Sequence, residues 1–226
     1  MPILWIDTCA EICRLAVGDA GSVFSVLQVR HHQQLSTRLF TLIDMCLQTA
    51  GVAKEQLTAI GVNCGPGSYT GVRVGVVTAR MLAWSGRLPL AGLGALDVLC
   101  AMQTGSAPVL GVLPARRGEV YAQARFGERT VLPACVCRPG DLMDRLNGWL
   151  RPPVVIGQLP SEFLLPWPVT VHIRADGPDE AAALRLCAEK IAAGRGDDPL
   201  GLQPVYLKPP AISKPRQPYR PPPCIR

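Results

Sequence analysis

Asn63–Ala83, NCGPGSYTGVRVGVVTARMLA, is a glycine-rich turn that runs straight into an apolar helix. The turn Gly65-Pro66-Gly67-Ser68-Tyr69-Thr70-Gly71 offers backbone N–H groups and hydroxyls at a helix start, where the positive end of the helix dipole favours anions. Behind it, Gly71, Gly75, Ala79 and Ala83 place one small residue at every fourth position. They share a face along which another backbone can come very close. Apart from Arg73 and Arg80, which fall on one side, the helix is Val72, Val74, Val76, Val77, Met81 and Leu82 plus the small stripe. A helix apolar nearly all round must bury nearly all round. Part of it faces its own sheet, and the stripe requires a further partner, inside the chain or outside it. One segment therefore predicts both a phosphate-binding turn and a helix-docking face.

Outward from this segment the pattern is α/β. Leu57–Asn63 reads as the strand before the turn, Leu88–Ala91 as a short strand after the helix, and Gly94–Met102 as a second helix. Upstream, Pro2–Asp7 reads as a buried strand ending in a carboxylate. Cys13–Gly18 and Val23–Val29 flank the turn Asp19-Ala20-Gly21. Leu35, Leu39, Leu42, Ile43, Cys46 and Leu47 recur at helical spacing and stop near Gly51. A weaker version of the same order begins near Pro108. It has strands Val109–Leu113 and Glu119–Phe126 around an Arg117-Gly118 turn, a helix in Pro139–Trp149, strands Val154–Ile156 and Val169–Ile173, and a helix Asp179–Ala193. The expected organisation is a first unit at 1–106, a smaller second unit at 107–207, and a tail at 208–226, with the two α/β units meeting at a cleft.

The chain of 226 residues is 48% hydrophobic, enough for packed cores, and carries a formal charge of +6. That charge is not spread evenly. All 17 acidic residues precede Lys208, whereas Lys208, Lys214, Arg216, Arg220 and Arg226 lie at or after it. Without those five bases, 18 basic residues face 17 acidic ones, so a body-wide nucleic-acid surface is not implied. The tail has seven prolines in 19 residues and cannot hold a helix or a central strand. It is either solvated or grips a partner or RNA phosphates. Asp7 interrupts the N-terminal apolar run, and no stretch reaches the roughly 18 uncharged apolar residues of a membrane helix. A cytosolic protein with free, mostly buried thiols is expected. Cys9-x-x-x-Cys13 and Cys135-x-Cys137 have no Cys/His pair of matching spacing to complete a zinc site, so no metal is expected.

Four blocks occur in order: Ile3-Leu4-Trp5-Ile6-Asp7-Thr8, the Gly65–Arg73 block GPGSYTGVR, Ala115-Arg116-Arg117-Gly118-Glu119-Val120-Tyr121, and Pro204-Val205-Tyr206-Leu207. Together they resemble the TsaB family, also called YeaZ, over roughly residues 1 to 207. The resemblance implies an α/β fold of tandem ribonuclease-H-like domains of the actin/Hsp70 type, with mixed sheets flanked by helices. It implies a role in placing threonylcarbamoyl on the adenosine beside the anticodon of tRNA. The family member acts there not as the catalyst but as the partner of the TsaD transferase, which carries the metal and the active site. TsaE, an ATPase, joins the complex, tRNA is met through the complex, and the isolated subunit forms a homodimer. No membrane partner is implied, and no cofactor beyond a nucleotide held weakly at the cleft or at the complex interface. Relatives pair through first-domain helices. Transferred here, the interface comprises Gly71, Val72, Gly75, Val76, Ala79, Arg80 and Ala83, with Leu39 and Ile43 of the preceding helix. Gly75→Leu or Ala79→Glu would then abolish pairing with little loss of monomer stability.

The chemistry points the same way. Asp7-Thr8 ends the first strand where this superfold keeps a carboxylate near phosphate and magnesium, but Pro114 ends the matching strand of the second half. Proline cannot ligate a metal or orient a water. A weak anion or nucleotide site at Asp7, Thr8, Gly65, Gly67 and Ser68 is what remains of that reading; otherwise Asp7 and Thr8 cap local backbone. The histidines are His31, His32 and His172, and no two are spaced i, i+4 as a helical metallopeptidase motif requires. Ser68, Thr70 and the cysteines have no base tied to them by any motif, so no catalytic residue is assigned. Arg116, Arg117 and Glu119 form either a solvated hairpin tip or a partner-contacting surface. The expected function is a non-catalytic scaffold. The alternatives are an actin-fold ATP-binding enzyme and a tail-driven RNA-binding module.

Overall fold

A computed structural model describes residues 1–30, 35–103, 105, 107–146, 153–158, 171–172 and 179–209. It begins with three strands, β1 (Ile3–Asp7), β2 (Ile12–Gly18) and β3 (Val23–Arg30), followed by α1 (Leu35–Ala50). β4 (Ala59–Asn63), α2 (Tyr69–Gly86), β5 (Leu90–Leu93) and α3 (Ala95–Ala101) complete the first half. β1 pairs antiparallel with β2 and parallel with β4, giving the sheet order β3-β2-β1-β4-β5. Every residue of β1 and β4 is buried, because helices cover both faces of the sheet, and this is why those strands read as unbroken apolar runs.

The second half repeats the plan. β6 (Pro108–Pro114), β7 (Val120–Phe126) and β8 (Arg129–Cys137) form a meander, α4 (Pro139–Leu146) follows, and β9 (Val154–Gly157) and β10 (Val171–His172) add parallel strands. The order β10-β9-β6-β7-β8 is that of the first sheet read from its other edge. Two mixed sheets with this shared order, each flanked by helices, make a tandem ribonuclease-H-like fold. β8 carries no clear strand signal in the sequence. Pro133 interrupts it, and as an edge strand it leaves most of its side chains exposed, so apolar alternation is weak. The outer parts of the predicted 139–149 helix and 169–173 strand, His31, His32 and the tail beyond Pro209 lie outside the described residues.

Four packed layers set the site. α1 and α2 cover one face of the first sheet. Leu39, Leu42, Ile43 and Leu47 of α1 and Val72, Val76, Ala79 and Ala83 of α2 meet Leu4, Ile6, Leu15, Val17, Ile60 and Val62. On the other face, Trp5, Ile3, Ala16 and Ala91 meet Val98 of α3 and Ala182, Ala183, Leu184 and Cys187 of α5 (Glu180–Ala192). α5 thus returns to the first sheet, although it follows the second in sequence, so residues 107–207 do not form a self-contained unit. Its apolar face matches the Trp5 side of sheet one, and the Arg14–Glu180 ion pair, 3.2 Å long and almost wholly buried, pins its first turn to β2. α3 lies between the halves, with Val98 in the first core and Leu96, Leu99 and Cys100 against Val109 and Ile156 of the second sheet. Burial of each such Leu or Val stabilises by about 1.5–3 kcal/mol.

Candidate functional site

Asp7 ends β1 and is 3% exposed. Its Oδ1 accepts a hydrogen bond from the Cys9 backbone N–H at 2.9 Å. Burial pushes its carboxyl above the ordinary value, opposed by hydrogen bonds from Cys9 and Asn63 and by the charge of Arg14. Thr8, fully buried, donates its hydroxyl to the Gly71 carbonyl at 2.7 Å. It is a peg between the end of β1 and the first turn of α2. The glycine turn is packed just as tightly. Gly65 has φ of +104°, a conformation that favours glycine, and a side chain there would press on the Val205 carbonyl 2.7 Å away.

The turn's polar groups serve the chain itself. Gly65 N–H donates to Asn63 Oδ1 at 2.9 Å and Ser68 N–H to the Cys9 carbonyl at 2.7 Å. Ser68 caps α2, its Oγ accepting from Gly71 N–H at 3.4 Å. Of the five residues expected to hold an anion, Asp7, Gly67 and Ser68 line a cleft of about 570 Å³ between the halves, and Thr8 and Gly65 do not. Across that cleft stand Leu113, Pro114, Ala115, Arg116 and Tyr121. Asp7 therefore faces no second carboxylate at the end of β6.

The small stripe is not a surface. Val72, Val76 and Ala79 are completely buried and Ala83 nearly so; Gly71 and Gly75 are buried too. A Cβ at Gly71 would overlap the Thr8 carbonyl and one at Gly75 the Thr8 hydroxyl. The close approach that the stripe permits is to the chain's own Thr8. Leu39 and Ile43 likewise sit in the first core. Those eight positions are thus corrected from interface to interior. Arg80, the ninth, is committed as well: its Nε and guanidinium NH2 donate to the Pro199 and Leu200 carbonyls, both at 2.6 Å. What α2 presents outward is Arg73, Val77, Met81 and Trp84, spaced four, four and three apart. Val77, Met81 and Trp84 are 50%, 58% and 65% exposed, and Phe40 and Met45 of the neighbouring α1 are exposed as well. The sequence reads α2 as apolar nearly all round, apart from Arg73 and Arg80, and so does not say which side faces in.

Two of the sequence blocks, Gly65–Arg73 and Pro204–Leu207, meet beside the cleft. Val205 N–H donates to the Cys64 carbonyl at 2.7 Å, which lays the 204–207 segment beside the glycine turn. Tyr206 stacks on Tyr69 with ring centroids 4.6 Å apart, and the Arg73 guanidinium lies 4.1 Å from the Tyr69 centroid. Arg73 also donates to both hydroxyls, to Tyr206 at 3.0 Å and to Tyr69 at 2.5 Å. Glu119 pairs with Lys208.

The chain matches the family described as "TsaD: tRNA N6-adenosine threonylcarbamoyltransferase" over residues 26–158. It is 35% identical over 126 residues to the tRNA threonylcarbamoyladenosine biosynthesis protein TsaB of Escherichia coli (strain K12), which covers 54% of this chain and 53% of that one. To TsaB of Bacillus subtilis (strain 168) it is 34% identical over 122 residues, with the same shares of 54% and 53%. The chain belongs to the TsaB/YeaZ group of that family. Each of these matches spans about half the length of the relative, 53% in both cases. A solved Pseudomonas aeruginosa protein, described as uncharacterized with similarity to peptidase YEAZ, superposes with a TM-score of 0.75 at 24% identity, covering 92% of this chain and 99% of that one. It shares the fold.

Among the described residues of this TsaB/YeaZ chain, every cysteine except the half-buried Cys135 is buried. Burial raises Cys9 well above the ordinary thiol value and pushes Cys13 and Cys64 up to about 12. Such thiols are poor nucleophiles at neutral pH. Among the described residues, no three His, Cys, Asp or Glu side chains converge as a metal-binding group. No helix among them is long and apolar enough to cross a membrane.

Proposed function

We propose that this chain is a non-catalytic accessory subunit for threonylcarbamoyl transfer to the adenosine beside the anticodon of tRNA. It docks on the TsaD transferase through the outer face of α1 and α2. The observation that carries the reading is the row Val77, Met81 and Trp84, with Phe40 on α1: large apolar side chains left in water on adjacent helices of one layer. A row of this kind marks a surface with a partner. The relatives' name TsaB and the TsaD description of the matching family support TsaD as that partner. In isolation the same face closes on a second copy, so homodimer and heterodimer compete.

Support for the non-catalytic role comes from the cleft. Asp7 is opposed by Pro114, Thr8 is locked to α2, and the Gly65 and Ser68 N–H groups of the turn are taken by Asn63 and Cys9. TsaE and tRNA join at the composite surface that docking creates, the chain brings no cofactor of its own, and the assembly works in the cytoplasm. The test is capture of TsaD by the wild-type chain and by Met81→Glu/Trp84→Glu, with size-exclusion chromatography of each alone. Loss of TsaD and of the homodimer by a variant with unchanged thermal stability is expected. Full retention of both would remove the outer face of α2 from the account.

A further inference from the structure

The outer face of α2 is apolar in its middle and basic at its ends. Between Glu55 and Asp97 the sequence holds no acidic residue and three bases, Arg73, Arg80 and Arg87, seven positions apart. None of the three has an ion-pair partner among the described residues. Arg73 and Arg87 are exposed and flank the row Val77, Met81 and Trp84, about 20 Å apart at about 1.5 Å per residue. α1 adds no free acid, because its one carboxylate, Asp44, pairs with Lys54 at 2.7 Å. Arg87 caps α2 with φ of 52° and ψ of 39°, the left-handed conformation in which helices ordinarily end on glycine. An arginine there costs stability, and no ion pair among the described residues offsets that cost. With Trp84, Leu88 and Pro199 it lines a hollow of about 580 Å³, whose wall is held by the bonds from Arg80 to the Pro199 and Leu200 carbonyls. Asp198, the acid next to Pro199, caps its own turn by accepting from the Leu200 N–H at 2.9 Å.

We infer that the protein surface fitting this face is acidic at its ends and apolar between them, so that charge selects a different partner over a second copy of this chain. The inference deepens the proposed docking on TsaD and rests on it for the partner's identity. What it adds is the chemistry of the mating surface. An apolar segment fills the hollow beside Trp84, and carboxylates about 20 Å apart meet Arg73 and Arg87. A two-fold homodimer places the same patch on both sides of the seam. Each copy would then set its unpaired arginines against those of the other, with no acid of α2 to separate them. An acidic partner is favoured twice, by its own attraction and by the repulsion that weakens the competing homodimer. The left-handed Arg87 fits this reading, because glycine would serve the helix end better and would carry no charge.

Salt should act on the two complexes in opposite directions. TsaD binding is followed by biolayer interferometry and self-association by analytical ultracentrifugation, each on the full chain from about 50 to about 500 mM salt. TsaD affinity should fall as salt rises, and the homodimer should tighten as screening removes its repulsion. Arg87→Gly separates charge from fold. The substitution relieves the left-handed cap, so the variant should melt at or above the wild-type temperature. Its TsaD binding should nevertheless weaken about fivefold to tenfold at about 50 mM salt, mainly through slower association, and by less than about twofold at about 500 mM. Its homodimer should be tighter than that of wild type at low salt. TsaD affinity independent of salt, a homodimer that salt weakens, or an Arg87→Gly protein that binds TsaD like wild type at low salt would overturn the inference. Met81→Glu/Trp84→Glu keeps the two proposals apart. If that variant loses TsaD while salt and Arg87→Gly change nothing, docking on this face stands and selection by charge is refuted. If wild type captures no TsaD at any salt, both are refuted.

Discussion

Gly75→Ala asks whether the small stripe of α2 points inward. The added methyl would overlap Thr8 Oγ1, with Thr8 Cβ and Cγ2 at 3.5 and 3.7 Å. That hydroxyl is fully buried and donates to the Gly71 carbonyl at 2.7 Å. The methyl must either eject the hydroxyl from its hydrogen bond or lift α2 from the end of β1. Overpacking of this kind costs about 1–3 kcal/mol and a lost buried hydrogen bond about 1 kcal/mol. The helix-propensity gain of alanine over glycine offsets about 1 kcal/mol. The net loss should be about 1–3 kcal/mol, which lowers Tm by about 3–10 °C for a chain of this size. Calorimetry of a double-mutant cycle isolates the contact. In a Thr8→Ala background the obstructing oxygen is gone and the Cβ at 3.5 Å is an ordinary contact, so Gly75→Ala should be neutral or stabilising there. The coupling should be about 2 kcal/mol. A Gly75→Ala protein as stable as wild type, or one whose cost is independent of Thr8, would refute the inward placement and return the stripe to the surface.

Other consequences follow from single contacts. Arg80→Ala removes both bonds to the Pro199 and Leu200 carbonyls, so limited trypsin digestion should cut sooner at Arg195 beside that segment, with global stability lower by only about 1 kcal/mol. Unchanged cleavage would show that Arg80 is not what holds the segment. Glu180→Ala leaves Arg14 buried without its carboxylate and should cost about 3–5 kcal/mol in denaturant unfolding, whereas a cost under about 1 kcal/mol would show that the pair is solvated. Asp7 supplies the pH dependence. Burial raises its pKa above 3.8 in the folded state, so the folded chain holds that proton more tightly than the unfolded one. This contribution is greatest below 3.8 and is lost as pH rises through the raised value. Asp7→Asn does not titrate, so urea unfolding should show the variant gaining on wild type from acid pH to neutrality. The opposite trend would mean that the hydrogen bonds from Cys9 and Asn63 outweigh burial.

Much of the fold was legible because its signals are local. The β1–β3 meander follows from the buried run Pro2–Asp7 and the two strands that flank Asp19-Ala20-Gly21, and α1 from Leu35, Leu39, Leu42, Ile43, Cys46 and Leu47 at helical spacing. Pairings across long separations were not. The Arg73–Tyr206 bond spans 133 positions and the Arg80–Pro199 bond 119, and nothing in composition or period joins them. The return of α5 to the first sheet is hidden for the same reason, because an amphipathic helix states that it will pack and not where. The stripe was read outward because small residues at every fourth position permit a close approach by any backbone. Thr8, whose hydroxyl reads as a ligand for phosphate when seen next to Asp7, is the group that makes that approach.

Reconstituted threonylcarbamoylation of tRNA, with TsaD, TsaE and this chain, weighs docking against cleft chemistry in a single assay. Met81→Glu/Trp84→Glu should abolish the modification while the isolated variant melts like wild type, and Asp7→Asn should leave it within about twofold. An active Met81→Glu/Trp84→Glu protein beside an inactive, folded Asp7→Asn protein would contradict the account and place the function in the cleft.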